Sequence, residues 1–228
     1  MIGLSNVLTA TALPLNVIIE RMSDGIIESL KIFFITLILS MPLGLIVSFG
    51  RMSKVRPVRW IVNLYISIMR GTPLMLQIIA IYFGPFYLFG ISLSSDYKFT
   101  AIIIAFVVNY AAYFAEIYRS GIESMPVGQY EAARLLGYNK FQTFIKIIWP
   151  QVIKRILPSV TNEVICLVKD TSLAFSVSYI EMFSIAKQLA ASTASFTPLL
   201  VAGAFYYVFN FTVAIIMRKL EKKYSYYE

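Results

Sequence analysis

Charged residues divide this chain into stretches too long and too apolar for ordinary core elements. Residues 32–49 carry no charge, and residues 25–31 extend that stretch at its start. A second apolar stretch runs from about 60 to 90, interrupted by Arg70 and Pro73, and a third covers 99–115. The fourth, 156–180, contains Glu163, Lys169 and Asp170; the last runs from about 196 to 217. Where both faces of an element are apolar, charge-free windows locate it better than helical periodicity does. At roughly 20 residues per crossing, the pattern predicts an all-α, polytopic bundle of five transmembrane helices at about 25–50, 60–90, 99–118, 156–180 and 196–217. Residues 1–228 then form a single transmembrane domain, with its largest polar loop at about 119–155.

Composition agrees with that pattern. Of 228 residues, 58% are hydrophobic and 14% charged, against roughly a quarter charged in a soluble domain, and the mean hydropathy is +0.73. The single cysteine, Cys166, cannot form an internal disulfide, and the absence of histidine removes the commonest general base and transition-metal ligand. No metal cluster and no catalytic triad is legible.

The net charge of +8 acquires meaning once it is sorted by loop. Residues 51–59 hold Arg51, Lys54, Arg56 and Arg59; residues 119–155 hold six Lys and Arg; the tail beyond Met217 holds four. These loops lie on one side of a five-span chain and carry fourteen of its twenty basic residues. By the positive-inside rule that side is cytoplasmic, which places the N-terminus outside and the C-terminus inside. Basic residues interleaved with spans belong beside a lipid bilayer and do not form a nucleic-acid surface.

The long loop has internal structure. Glu131-Ala132-Ala133-Arg134-Leu135-Leu136 is built from strong helix formers. Pro126 stands near its start and Gly137 just past its end, the usual asymmetry of helix termini. A second helix is expected from Asn139, which can cap it, through Phe141 to Ile148 before Pro150. Ala132 and Ala133 give the first helix a small-residue face on which another protein's backbone can approach closely.

The spacing of Glu131-Ala132-Ala133, Gly137, Ile147 and Trp149-Pro150 resembles the EAA loop of permease subunits in bacterial ABC importers, with Trp149 where the family carries Leu. Arg70-Gly71-Thr72-Pro73-Leu74 with Gln77, Asn162-Glu163, and Leu167-Val168-Lys169-Asp170-Thr171-Ser172-Leu173-Ala174 are similar to segments of the polar amino-acid uptake branch. So are Asn109-Tyr110-Ala111-Ala112-Tyr113 and Glu116-Ile117-Tyr118-Arg119-Ser120-Gly121-Ile122. The resemblance covers roughly residues 24–220 and implies a type I importer permease of the bacterial cytoplasmic membrane. It implies as partners a second permease subunit, identical or homologous, two ATPase subunits that bind ATP and Mg, an extracellular solute-binding protein, and an amino acid of polar, cationic or cystine type. It further implies that Glu131, Ala132, Ala133 and Gly137 dock on the ATPase. No phosphate loop of the Gly-x-x-x-x-Gly-Lys-Ser/Thr kind occurs, so the chain is expected to be no ATPase itself and to hold no cofactor.

Independently of any family, a charge at mid-bilayer costs at least about 2.5–3.5 kcal/mol and is expected to face a partner or a wet cavity. Arg70, Glu163, Lys169 and Asp170 are such groups. Lys169 and Asp170 point about 100° apart on a helix and do not simply pair, which leaves Arg70 as a candidate partner for Glu163 or Asp170. Pro73 removes a backbone donor and is expected to bend the second span, exposing backbone groups to a solute. Together Arg70, Gly71, Thr72, Pro73, Gln77, Glu163, Lys169, Asp170 and Ser172 make a candidate site for an amino-acid zwitterion. The same charges also fit interhelical packing pairs, or an ion relay through Glu163 and Asp170 in a secondary transporter or channel.

Overall fold

A computed structural model describes residues 13–92 and 94–224, and among them it contains helices and no strand. In chain order these are α1 (Leu15–Arg51), α2 (Arg56–Gly71), α3 (Leu74–Phe89), α4 (Ser95–Glu123), α5 (Val127–Leu135) and α6 (Lys140–Thr143). A π-helical turn (Phe144–Ile148), α7 (Trp149–Asp170), a 3-10 segment (Thr171–Val177), α8 (Met182–Thr193) and α9 (Thr197–Tyr224) follow. By length and composition α1, α4 and α9 can each cross a membrane, and α2 with α3 form a fourth candidate bent by 109° at its break. The fourth predicted span, 156–180, is occupied as far as Asp170 by α7, 22 residues long, which at about 1.5 Å per residue covers roughly 30 Å. It carries Lys154, Arg155, Glu163, Lys169 and Asp170, and it is not among the helices that qualify as spans by length and composition alone.

Several boundaries differ from the hydropathy windows for identifiable reasons. Helix α1 starts at Leu15, not near 25, because Glu20, Arg21 and Asp24 all lie on its exposed face while Ile18 and Met22 are buried. The fourth window stops being α-helical at Asp170, and residues 171–177 tighten into a 3-10 segment. There the Thr171 and Ser172 hydroxyls donate to the carbonyls of Val168 and Lys169 at 2.8 Å each, competing with the α-helical pattern. Helix α8 was not legible as an element, being short and lying between two windows. Pro150 does not end a helix. The π-helical turn before it carries the chain on, with the Trp149 N–H donating to the Phe144 carbonyl five residues back, so α6, the turn and α7 run on without a break.

The chain forms two compact units. The first comprises the described residues up to Ile35, Leu74–Ala105 and Leu167–Thr212. Its core is Ile18 and Met22 of α1, Met182, Ala186 and Leu189 of α8, and Ala202 of α9. Gly25 permits that packing, since a Cβ there would stand 2.8 Å from the backbone of Met182. The start of α8 is capped by the carboxylate of Glu181, which accepts from the amides of Phe183 at 2.8 Å and Ser184 at 2.7 Å.

The second unit comprises Thr36–Pro73, Phe106–Cys166 and the described residues from Val213. Here α1 meets α4 closely: a Cβ on Gly44 would lie 2.7 Å from the Phe114 Cβ and 3.0 Å from the Ala111 carbonyl. Ile66 of α2 packs with Ala112 and Ala115 of α4 in the same way. Small residues at such crossings let helix backbones approach where lipid supplies no hydrophobic drive.

Candidate functional site

The break after α2 follows from one missing donor. Pro73 has no N–H to offer the carbonyl of Met69 four residues earlier, and the Asn109 side-chain amide of α4 donates to that carbonyl instead, at 3.0 Å. The Thr72 hydroxyl turns back to the Ile68 carbonyl at 2.8 Å. Gly71, Thr72 and Pro73 are exposed, and the space beside the Gly71 Cα is open. The expected bend is present, and its backbone is held by a polar side chain that the sequence reading did not single out as a support.

At the end of α2, Arg70 enters a cavity of about 400 Å³ within the second unit. Its walls carry Tyr113, Glu116, Arg119, Ser120 and Ser124 of the α4 region together with Arg155, Ser159 and Glu163 of α7. The guanidinium of Arg70 lies 5.4 Å from the centre of the Tyr113 ring and 3.8 Å from Glu116 Oε2. Glu116 is thus an ion-pair partner of Arg70 that the pattern of charges within the apolar windows does not name. Glu116 is a hub: Arg51 Nε of α1 approaches its Oε1 to 3.0 Å, and Arg119 Nη2 its Oε2 to 2.8 Å. Arg119 is shared with Glu123. Arg155 Nη1 donates to the Ser124 carbonyl at 2.8 Å and to its hydroxyl at 3.2 Å. Glu116 lies one residue beyond the charge-free window that ends at Ala115, in the last turn of the predicted 99–118 span. The signal that would have found it is the Glu-x-x-Arg pair at 116 and 119, the helical spacing of neighbours on one face.

Of the residues predicted for a solute site, Arg70 and Glu163 share this cavity. Gln77, Lys169, Asp170 and Ser172 belong to the first unit, where the beginning of α3 packs against the 3-10 segment. Gln77 is buried there, Asp170 and Ser172 are half-buried, and Lys169 is exposed. Among the described residues no three His, Cys, Asp or Glu side chains gather as they would around a metal ion.

The long loop folds as its local chemistry dictates. Helix α5 starts after Pro126 and is closed two residues past its last turn by Gly137, whose φ of +78° is the left-handed conformation that glycine adopts without strain. The Tyr138 amide donates to the Ala133 carbonyl and the Gly137 amide to that of Arg134, both at 3.0 Å, which is a Schellman closure. Asn139 then opens α6 with a reciprocal capping box: its side chain accepts from the Gln142 amide at 2.9 Å, and the Gln142 side chain accepts from the Asn139 amide at 3.1 Å. Ala133 is buried, whereas Glu131, Ala132 and Gly137 are exposed. Leu135 and Leu136 stand 90% and 75% exposed beside them, a pair of apolar side chains uncovered within the chain. Trp149, the departure from the family pattern, packs at a tilt against Tyr118 and Phe144 with ring centres 5.9 and 5.6 Å away.

Known proteins match this architecture along nearly its whole length. An L-cystine transport system permease of Bacillus subtilis (strain 168) is 34% identical over 220 residues, covering 93% of this chain and 92% of its own. An arginine transport system permease of the same organism is 35% identical over 201 residues, covering 88% and 90%. The crystal structure of an amino acid ABC transporter with histidines superposes with a TM-score of 0.82 at 30% identity, over 93% of this chain and all of that one. Residues 40–226 match the family described as the binding-protein-dependent transport system inner membrane component. The chain therefore belongs to that family, as a multi-pass permease subunit of an ABC importer that leaves ATP hydrolysis to other subunits.

Proposed function

We propose that this permease moves an amino acid across the bacterial cytoplasmic membrane and that the Arg70–Glu163 cavity receives the zwitterion on its way. The observation that carries this reading is the presence of a guanidinium and a carboxylate on the walls of one polar cavity of about 400 Å³. Arg70 suits an α-carboxylate and Glu163 an α-ammonium or a cationic side chain. The cystine, arginine and histidine named for the similar proteins support the substrate class. In the working transporter the chain joins a second permease subunit, two ATPases that hold ATP and Mg, and an external solute-binding protein. Helix α5 docks on an ATPase through Glu131, Ala132 and the turn at Gly137, and the exposed Leu135 and Leu136 suit an apolar groove. The basic loops support an outward N-terminus and an inward C-terminus.

The test is ATP-driven uptake by the assembled transporter in proteoliposomes, with L-cystine, L-glutamine, L-arginine and L-histidine assayed separately. Arg70→Met and Glu163→Gln are each expected to raise the KM for uptake about tenfold or more, the equivalent of roughly 1.4 kcal/mol for one charged contact, while the subunits still copurify. Wild-type uptake by both variants refutes the site. Uptake that runs on an ion gradient without ATP overturns the importer reading in favour of an ion-coupled carrier.

A further inference from the structure

We infer that Arg155 is a positioning residue for coupling: from the first turns of α7 it clamps the joint between α4 and α5, so that movement of the docking helix reaches the walls of the cavity. The inference rests on the docking role proposed above for α5. Three residues, Ser124, Met125 and Pro126, separate the end of α4 from the start of α5. Each is held by a different means. The Ser124 carbonyl accepts from Arg155 Nη1 at 2.8 Å, and the Ser124 hydroxyl oxygen accepts from the same nitrogen at 3.2 Å. Met125 is buried. Pro126 has its φ fixed by its ring, at −57°. A joint restrained at all three positions is a stiff bracket, where an unrestrained one would be a tether.

The bracket is fastened to α7 at two neighbouring turns. Arg155 holds the α4 arm. Four residues earlier, Gln151 Nε2 donates to Gln129 Oε1 of α5 at 3.3 Å and to the Ile147 carbonyl at 2.7 Å. Residues four apart are neighbours on a helix surface, so one row of α7 meets both arms of the joint. The pairing of guanidinium and carbonyl suits its place, since the carbonyls at a helix end lack intrahelical partners and carry the negative end of its dipole. Near the clamp, Gly121 of α4 has no room for a Cβ against Ile156 of α7, so the two helices touch closely there. The same residues bound the cavity: Arg155, Ser124 and Gly121 line it together with Glu116 and Ser120 of α4 and Ser159 of α7. A displacement of α5 is thereby passed to both helices that wall the cavity, through packed and hydrogen-bonded contacts. Without the guanidinium, α5 can tilt about Ser124 while α4 and α7 stay where they are.

The experiment measures ATP hydrolysed per amino acid taken up, together with the KM for uptake, by the assembled transporter in proteoliposomes. L-cystine, L-glutamine, L-arginine and L-histidine are assayed separately, and the variants are Arg155→Met, Arg155→Lys, Glu131→Ala and Gly137→Ala. Arg155→Met is expected to raise the ATP consumed per amino acid about threefold or more, within the range that one residue on a coupling route produces, while KM changes less than about twofold. Arg155→Lys keeps a cation for the carbonyl and is expected to recover part of the loss. A role in stability alone leaves the ratio where it is, because a less stable transporter loses hydrolysis and uptake together. A wild-type ratio in Arg155→Met, beside a raised one in Glu131→Ala or Gly137→Ala, overturns the clamp and leaves the docking role standing. A raised KM with an unchanged ratio makes Arg155 a solute contact and also overturns the clamp. Wild-type ratios in both Glu131→Ala and Gly137→Ala remove the docking role, and the clamp with it. Should Arg155→Met fail to copurify with the ATPase, Gln129→Ala, which cuts the second tie to α7, carries the comparison: a raised ratio supports the bracket and a wild-type ratio overturns it.

Discussion

Glu181 is fully buried, yet it accepts from two amides, from the Ser184 hydroxyl at 2.9 Å, from Tyr206 at 3.3 Å and from Ser29 at 3.5 Å. One carboxyl so ties the start of α8 to α1 and α9 within the first unit. Burial pushes its carboxyl above the ordinary carboxylate range, against the pull of the Phe183 and Ser184 donors. A carboxyl raised in the folded chain holds its proton there more readily than in the unfolded one. The stability it contributes is complete below the ordinary carboxylate range and is lost as pH rises through the raised value. Acidifying from neutral toward that range is therefore expected to raise the thermal midpoint of the purified transporter, and Glu181→Gln to flatten the dependence. Glu181→Ala, which strands buried donors, is expected to cost about 1–3 kcal/mol; a midpoint equal to wild type would contradict the account. Nothing in the sequence marks Glu181, because the groups that satisfy it come from positions 29, 183, 184 and 206. By contrast Arg70, Pro73 and Glu163 were legible one at a time, since a charge or a proline inside an apolar window stands out without knowledge of its neighbours.

Among the elements, the α5–α6 corner was the most legible, because glycine closure and asparagine capping are local chemistry that needs no tertiary partner. What remained hidden was which face turns inward: Ala133 is buried and Ala132 exposed, a choice made by packing on the rest of the second unit. The docking role proposed for this corner makes a prediction at its own scale. Gly137→Ala forces a Cβ onto a left-handed residue and is expected to cost about 1 kcal/mol locally. With Glu131→Ala, it is expected to leave ATP hydrolysis running while uptake falls, so that the ratio of ATP consumed to amino acid moved rises severalfold. A ratio equal to wild type in both variants would count against α5 as the docking element. Helix α8 stayed invisible for the opposite reason: its amphipathic signal is short, and it is defined by contacts with α1 and α9 and by a cap at Glu181.

At the scale of the whole molecule, hydropathy found the spans because lipid demands a long apolar segment for each crossing, a constraint that is one-dimensional and so survives in sequence order. It could not find the 3-10 segment, the cluster at Glu116 or the two compact units, which arise from residues far apart in the chain. The π-helical turn at Phe144–Ile148 bears on how the chain tolerates insertions and deletions. Such a turn amounts to one residue more than an α-helix of the same rise requires, so it works as a phase shifter between the capped start of α6 and everything beyond Trp149. Deleting Lys146 would return the segment to plain α-helical phase and rotate the rest of α7 by about 100° relative to that start. Glu163 and the α5 corner could then not both keep their places. The expected result is a transporter that inserts and assembles but no longer couples, whereas Lys146→Ala, which preserves the count, transports normally. Reading frame along this helix, more than the identity of any side chain in the turn, is what lineages of this permease would have to preserve.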